Sequence, residues 1–287
     1  MKQAYKEINF RKKTRERLDV IEGITSEYLD KGFRLTVRQL FYQLVSRGMV
    51  KNTQNEYYKI SDIASNGRLT GVLDWDCIED RTRSERGNLH WDSPQEMLQV
   101  LADRYMTDTR WNQPVYVECW IEKDALVGVI EPIARAADIT CFSCRGYPSV
   151  TTIREAAFRF KQEEHRQRRV ILYAGDHDPS GMDIPRDITE KMKLFGADVE
   201  VVRIALTKEQ IKRYNPPPNT AKEKDKRYRR YVEQYGKECW ELDALEPQVL
   251  AELFEKHIME LTDVDLLYAA QQEDEWTRQQ LRKINLD

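Results

Sequence analysis

Residues 171–181 read ILYAGDHDPSG, and the fold follows from how this stretch is taken. An apolar run ends in two aspartates, Asp176 and Asp178, with one residue between them. Side chains alternate along an extended chain, so both carboxylates fall on one side and His177 on the other. Gly175, Pro179 and Gly181 then break the strand and turn the chain. Two acids at the carboxyl edge of a strand repel each other unless something positive sits between them. A hard divalent cation and an arginine are the two candidates, and a solvated turn is the plain alternative.

Outward from that strand, the second half of the sequence alternates strand and helix. Strands are expected over Val115–Ile121, 139–144, 170–174 and 199–204, with helices to about residue 137, over 149–164 and over 184–195. That alternation implies an α/β fold with a parallel sheet. Ligands of such sheets sit at the carboxyl ends of the strands. Glu122 closes the first strand and the two aspartates close the third, so neighbouring strand ends would bring three acids to one point. That convergence favours a metal over the solvated turn.

The first half reads as helical. A helix over 4–31 would stop at Gly32, and its basic run of Arg11, Lys12, Lys13, Arg15 and Arg17 is either a solvated face or an arm for phosphates. Thr36 and Gln39 form a capping box, and Val37, Leu40, Phe41, Leu44 and Val45 share one helical face. Arg38 and Tyr42 are four apart and neighbour each other at its polar edge. They are either an interfacial pair or a nucleophile with its anion stabiliser. A helix over 56–66 and a short hairpin over 68–76 follow. Helices followed by a wing suggest a winged helix-turn-helix, a module that reads DNA. Arg81, Arg83 and Arg86 then offer phosphate contacts, diluted by Glu79, Asp80 and Glu85. A helix over 94–106 ends the first domain, giving domains 1–112 and 113–287. Past the sheet, a proline linker over 215–219 leads to a basic stretch with Tyr228 and Tyr231, either a grip on a nucleic-acid backbone or a solvated helix. The acidic tail carries a stripe of Leu242, Leu245, Val249, Leu250 and Leu253.

Composition narrows the function classes. The 287 residues are 40% hydrophobic and 33% charged, as in globular proteins with a solvated surface. No apolar run reaches about eighteen residues, and the first residues lack the apolar segment of a secretory signal, so no membrane partner is expected. The 5 cysteines are scattered, and Cys141 and Cys144 lack a second pair for zinc, which fits reduced thiols in the cytoplasm. The net charge of −3 restricts nucleic-acid binding to local patches.

The order of these motifs resembles the A subunit of type IIB topoisomerases (topoisomerase VI) and the related meiotic double-strand-break transesterase. That family carries a Thr-x-Arg-x-(Ile/Leu)-(Phe/Tyr)-Tyr motif, which here runs from Thr36 through Arg38 to Tyr42. Its Glu-Lys-Asp after a strand corresponds to Glu122, Lys123 and Asp124. Its Lys/Arg-Gly-Tyr-Pro element is Arg145, Gly146, Tyr147 and Pro148, and its Asp-x-Asp-Pro-x-Gly runs from Asp176 to Gly181. The resemblance covers about residues 35–184. It implies an α/β multidomain chain: an N-terminal winged-helix (CAP-like) domain and a C-terminal Toprim domain with a Rossmann-like parallel sheet and a helical extension.

The resemblance also implies a chemistry. Tyr42, a phenol of pKa ~10, would attack a DNA phosphorus and form a 5′-phosphotyrosyl link, with Arg38 steadying the transition state and Lys123 beside the phosphate. Glu122, Asp176 and Asp178 would hold Mg2+, or Mn2+ in its place. A twofold homodimer would face the tyrosine of one chain with the metal acids of the other. Double-stranded DNA would lie in a channel lined by Arg15, Arg38 and Arg81, with Arg83 and Arg145 as further DNA-binding candidates. The sequence begins almost at the winged helix, without the segment on which the family's ATPase subunit sits, and has no ATP-binding motif. It is similar in this to the minimal stand-alone A-like proteins called Mini-A. The expectation is therefore DNA cleavage rather than strand passage by this chain alone. A Toprim nuclease using water, with Tyr42 a spectator, and a non-catalytic DNA-binding protein are the alternatives.

Overall fold

A computed structural model describes residues 1–79, 90–221 and 223–284. It opens with three helices, α1 (Lys12–Asp30), α2 (Val37–Ser46) and α3 (Gln54–Leu69). They close around Leu18, Ile21, Leu40, Phe41, Leu44 and Ile60, all buried. The cap of α2 forms as expected: the Gln39 N–H donates to the Thr36 hydroxyl, and the Thr36 N–H donates to the Gln39 side chain. Gly48, at φ 69°, turns the chain out of that helix.

Two local expectations are corrected here. The first helix starts at Lys12 rather than residue 4, because the N–H groups of Tyr5 and Lys6 are taken by the Leu69 carbonyl instead. The hairpin expected over 68–76 is absent. Leu73 is buried against the end of α3, with the N–H groups of Val72 and Leu73 both on the Gly67 carbonyl. Asp74 accepts from the Asp76 N–H, which winds Trp75–Cys77 into a 3-10 turn. The Met1 ammonium binds both of these aspartates. Among the described residues this region keeps only isolated bridges, Ala4 to Thr70 and Leu35 to Ile78. Arg81, Arg83 and Arg86 lie outside the described residues.

After α4 (Pro94–Arg104) the chain enters a parallel sheet of β1 (Val115–Ile121), β2 (Thr140–Ser143), β3 (Arg168–Ala174) and β4 (Glu200–Ala205), in the order β2-β1-β3-β4. The helices α5 (Val127–Ala136), α6 (Val150–Gln162) and α7 (Ile184–Leu194) alternate with the strands. Strand alternation splits the core into two layers. Val117, Cys119, Ile121 and Leu172 face α5 and α10 (Pro247–Glu260), while Trp120, Ile171 and Tyr173 face α6 and α7. The α/β class expected from the sequence is thus realised.

The remaining chain wraps back over the carboxyl edge of the sheet. Helix α8 (Lys208–Tyr214) ends at Asn215 in the left-handed region. Three prolines then lead into β5 (Asn219–Thr220), which pairs antiparallel with β6 (Glu238–Cys239) across α9 (Tyr228–Tyr235). A 3-10 turn at Leu242–Ala244 packs on α2. The last helix, α11 (Val264–Leu281), lies against α4, held by Arg282 on Asp103 at 2.7 Å. Among the described residues, no helix is long and apolar enough to cross a membrane.

Candidate active site

In the sheet order, β1 leads outward to β2 and β3 leads outward to β4, so a crevice opens between the carboxyl ends of β1 and β3. Ile121 stands level with Ala174, which sets the residues after both strands side by side. Glu122 Oε2 accepts from the Asp176 N–H at 2.8 Å and from the Tyr173 hydroxyl at 3.3 Å. Glycine is required for so close an approach. A Cβ on Gly181 would stand 2.2 Å from the Asp176 carbonyl oxygen and 3.0 Å from Glu122 Oε2. The guanidinium of Arg203 ties the loop down, donating to the carbonyls of Gly175 at 2.7 Å, Asp176 at 2.6 Å and Gly181 at 2.9 Å.

The two aspartates are used differently. Asp176 Oδ1 accepts from the Leu242 N–H at 2.7 Å and meets the Lys123 ammonium at 2.9 Å. Asp178 Oδ1 accepts from the Gly181 N–H at 2.6 Å and the Ser180 hydroxyl at 3.0 Å, so it closes the turn that follows. His177 lies away from both, as alternation requires. Its backbone pairs with Trp240, and its Nδ1 is 2.8 Å from the Tyr231 hydroxyl. Tyr231 is therefore a buried anchor for His177 and not a grip on a nucleic-acid backbone.

Lys123 sits inside a ring of acids rather than on an open surface. Its ammonium meets Asp176, Glu241 at 2.8 Å and Asp243. Arg38 reaches the same two C-terminal acids, Glu241 and, through Nε at 3.2 Å, Asp243. Helix α2, both inner strands and the segment after β6 thus meet in one charge cluster. Burial would lower the pKa of Lys123, but Asp243, Asp176 and Glu241 outweigh it and raise it. Burial alone would raise Glu241, but Lys123 and Arg38 bring it down to about 2. Glu122 is pushed up to about 7 by burial and then by Asp176, and Asp176 is pushed up to about 6 by burial in spite of Lys123.

Tyr42 opens on this cluster from the same chain. Its side chain is buried, not at the polar edge of α2, and its oxygen accepts from Asn219 Nδ2 at 3.4 Å. Burial, then Glu241, raises its pKa, against Asn219, Arg38 and Lys123. A cleft of about 660 Å3 is lined by Arg38, Tyr42, Lys123, Asp176, Asp178 and Asn219 among others. Among the described residues, five carboxylates line it (Asp176, Asp178, Asp225, Glu241 and Asp243) against the two cations Arg38 and Lys123. An added cation is what such a cleft needs before it can accept a phosphate.

The remaining candidates stand apart. Arg15 is exposed on α1 and pairs with Asp19 at 3.2 Å. Arg145 is exposed and pairs with Asp124 at 3.0 Å. Neither lines the cleft. Glu241, Asp243, Asn219 and Arg203 were not singled out by sequence reasoning. One signal was present: Glu241-Leu242-Asp243 repeats the acid-x-acid spacing of Asp176 and Asp178, but within a tail that reads as generally acidic.

The donor set near the strand ends is all oxygen, a chemistry that suits a hard divalent cation such as Mg2+ or Mn2+, and burial raises the pKa of two of its carboxyls, Glu122 and Asp176. Among the described residues, no group of three or more His, Cys, Asp or Glu side chains is placed so that it could hold a metal ion. Among the described residues, no cysteine forms a disulfide. The chain matches no protein-family model and no curated protein.

Proposed function

We propose that this chain cleaves double-stranded DNA by tyrosine transesterification, with Tyr42, on the helical N-terminal part, as the nucleophile and a Toprim domain as the part that carries the acids. The observation that carries the reading is that the Tyr42 phenol lines the same cleft as Asp176 and Asp178. In the step, the Tyr42 oxygen bonds to phosphorus as the bond from phosphorus to the 3′ oxygen breaks. The phenolic proton leaves to water, and the departing 3′ oxygen takes one up. Arg38, one helical turn before Tyr42, would turn from Glu241 and Asp243 to the phosphate and balance its growing charge. Lys123 would hold Asp176 and Glu241 in place. Glu122, Asp176 and Asp178 would hold Mg2+ or Mn2+, which when bound offsets the charge of the phosphoryl oxygens.

The resemblance shares tyrosine and acids between two chains, whereas the geometry favours both acting within one. A twofold homodimer would then cut two strands, each with its own tyrosine. One observation favours a second reading, hydrolysis by water: the raised pKa of Tyr42 in the resting cleft. Incubation with supercoiled DNA and Mg2+ or Mn2+, followed by a denaturing gel, separates the two. Covalent protein–DNA adducts are expected from the wild type and from neither Tyr42→Phe nor Asp176→Ala. Undiminished cutting by Tyr42→Phe supports hydrolysis, and cutting by Asp176→Ala removes the metal reading. Mixed Tyr42→Phe and Asp176→Ala chains should remain inactive; recovery of adducts on mixing would return the tyrosine to the partner's site.

A further inference from the structure

Outside the motifs carried by the resemblance, the cleft contains a small amide relay that reaches the proposed nucleophile. Asn219 Nδ2 donates to the Tyr42 oxygen at 3.4 Å. Asn219 Oδ1 accepts from Asn52 Nδ2 at 2.7 Å, and Asn52 also donates to the Pro218 carbonyl at 3.3 Å. An asparagine amide has one accepting and one donating end. With its oxygen committed to Asn52, the Asn219 amide has only its NH2 end to offer Tyr42. The backbone holds this orientation as well. Asn215 turns the chain, Pro216, Pro217 and Pro218 restrict the approach, and Asn219 is locked in register with Cys239.

The balance of bonds at the phenol points the same way. Among the described residues, the Tyr42 oxygen accepts a hydrogen bond from Asn219 and donates to no protein acceptor. A hydrogen bond donated to that oxygen favours its ionised form, against the burial and the Glu241 charge that raise its pKa. We propose that Asn219 is a catalytic residue of the transesterification, donating to the Tyr42 oxygen as its proton leaves, and that Asn52 is the positioning residue that aims it. The proposal rests on the reading of Tyr42 as nucleophile. At 3.4 Å the bond is long in the resting cleft; it should tighten as charge builds on the oxygen. Among the described residues, the charged groups that share the cleft with the phenol are Arg38 on its own helix, Lys123 after β1, Asp176 and Asp178 after β3, Asp225 before α9, and Glu241 and Asp243 after β6. They remain in every variant below, so Asn219→Ala and Asn52→Ala isolate the amide, while Asn219→Asp adds a carboxylate in its place.

The test reads the phenol directly. Full-length protein is labelled with 3-fluorotyrosine, and the Tyr42 resonance is identified by its loss in Tyr42→Phe. Its 19F titration is followed in wild type, Asn219→Ala, Asn219→Asp and Asn52→Ala. Asn219→Ala should raise the Tyr42 pKa by about half a unit to one unit, Asn219→Asp by more, and Asn52→Ala by less. Adduct formation by Asn219→Ala should slow by about 10- to 100-fold, with the rise of its pH–rate profile displaced to higher pH. A Tyr42 titration unmoved by Asn219→Ala overturns the proposal whatever the activity. A shifted titration in a protein whose wild type never forms adducts leaves the hydrogen bond standing and refutes the nucleophile. If Asn219→Ala folds poorly, Asn52→Ala carries the same test, and an unmoved titration there removes the relay.

Discussion

Lys123→Met removes one ammonium and leaves three carboxylates facing one another. The Lys123 nitrogen lies 2.9 Å from Asp176 and 2.8 Å from Glu241, and it also binds Asp243, whose side chain is 0% exposed. Among the described residues, the other Asp243 oxygen is buried with no hydrogen-bond partner, and the cations on that carboxylate are Lys123 and Arg38. Removing one partner of a buried ion pair typically destabilises by ~3–5 kcal/mol, because the other charge stays buried without compensation. Arg38 still reaches Glu241 and Asp243, and Glu241 is one-quarter exposed, so the expected loss falls at the lower end, about 3 kcal/mol. Urea unfolding at pH 7 measures it. Asp243→Asn in the Lys123→Met background should give back part of the loss, so the two changes together should fall short of their sum by ~1–3 kcal/mol. Mg2+ should raise the unfolding midpoint of Lys123→Met more than that of the wild type, since it would enter where the ammonium was. A loss below about 1 kcal/mol with an additive double variant would refute the view that this lysine holds the acids together.

Two further outcomes follow from the same geometry. Glu122 at about 7 and Asp176 at about 6 keep protons in the folded chain that the unfolded chain has already released above its ordinary carboxylate range. Their contribution to stability is therefore present at low pH and lost as pH rises toward 7. His177, lowered to about 4 chiefly by burial, acts in the opposite sense over part of that range. Glu122→Gln isolates the first effect: the stability of the wild type relative to the variant should fall by up to ~3 kcal/mol between pH 4.5 and 8, and a flat difference would remove the assignment. Gly181→Ala forces a Cβ onto the Asp176 carbonyl oxygen, a backbone atom that cannot swing aside. A loss of ~1–3 kcal/mol in urea and abolished cutting are expected; a variant as stable and active as wild type would mean that the loop does not need its close approach.

Much of the fold was legible because it is set locally. The run from Arg168 to Ala174 is apolar and followed by glycine and proline, so strand and stop are both visible. Thr36 and Gln39 satisfy each other within four residues, so the start of α2 could be placed without knowing its neighbours. The nearness of Glu122 and Asp176 followed from the alternation of strands and helices, since that alternation makes a parallel sheet and a parallel sheet aligns its carboxyl ends. The segment 68–76 departs from a hairpin where Asp74 and Asp76 bind the Met1 ammonium, a contact between distant parts of the chain that no local pattern announces.

By itself, then, the sequence determined the sheet, the capped helix that carries Arg38 and Tyr42, and the strand ends that carry Glu122 and Asp176. Only the tertiary structure decided what surrounds them. Glu241, Asp243 and Asn219 reach the cleft because β5 and β6 fold back over the sheet edge, and Asp178 is drawn into its own turn by Gly181. Periodicity and capping act over a few residues and leave a pattern in the sequence. The docking of one buried charge against another, far along the chain, is selected by the desolvation and pairing of the folded state and leaves no periodic pattern to read.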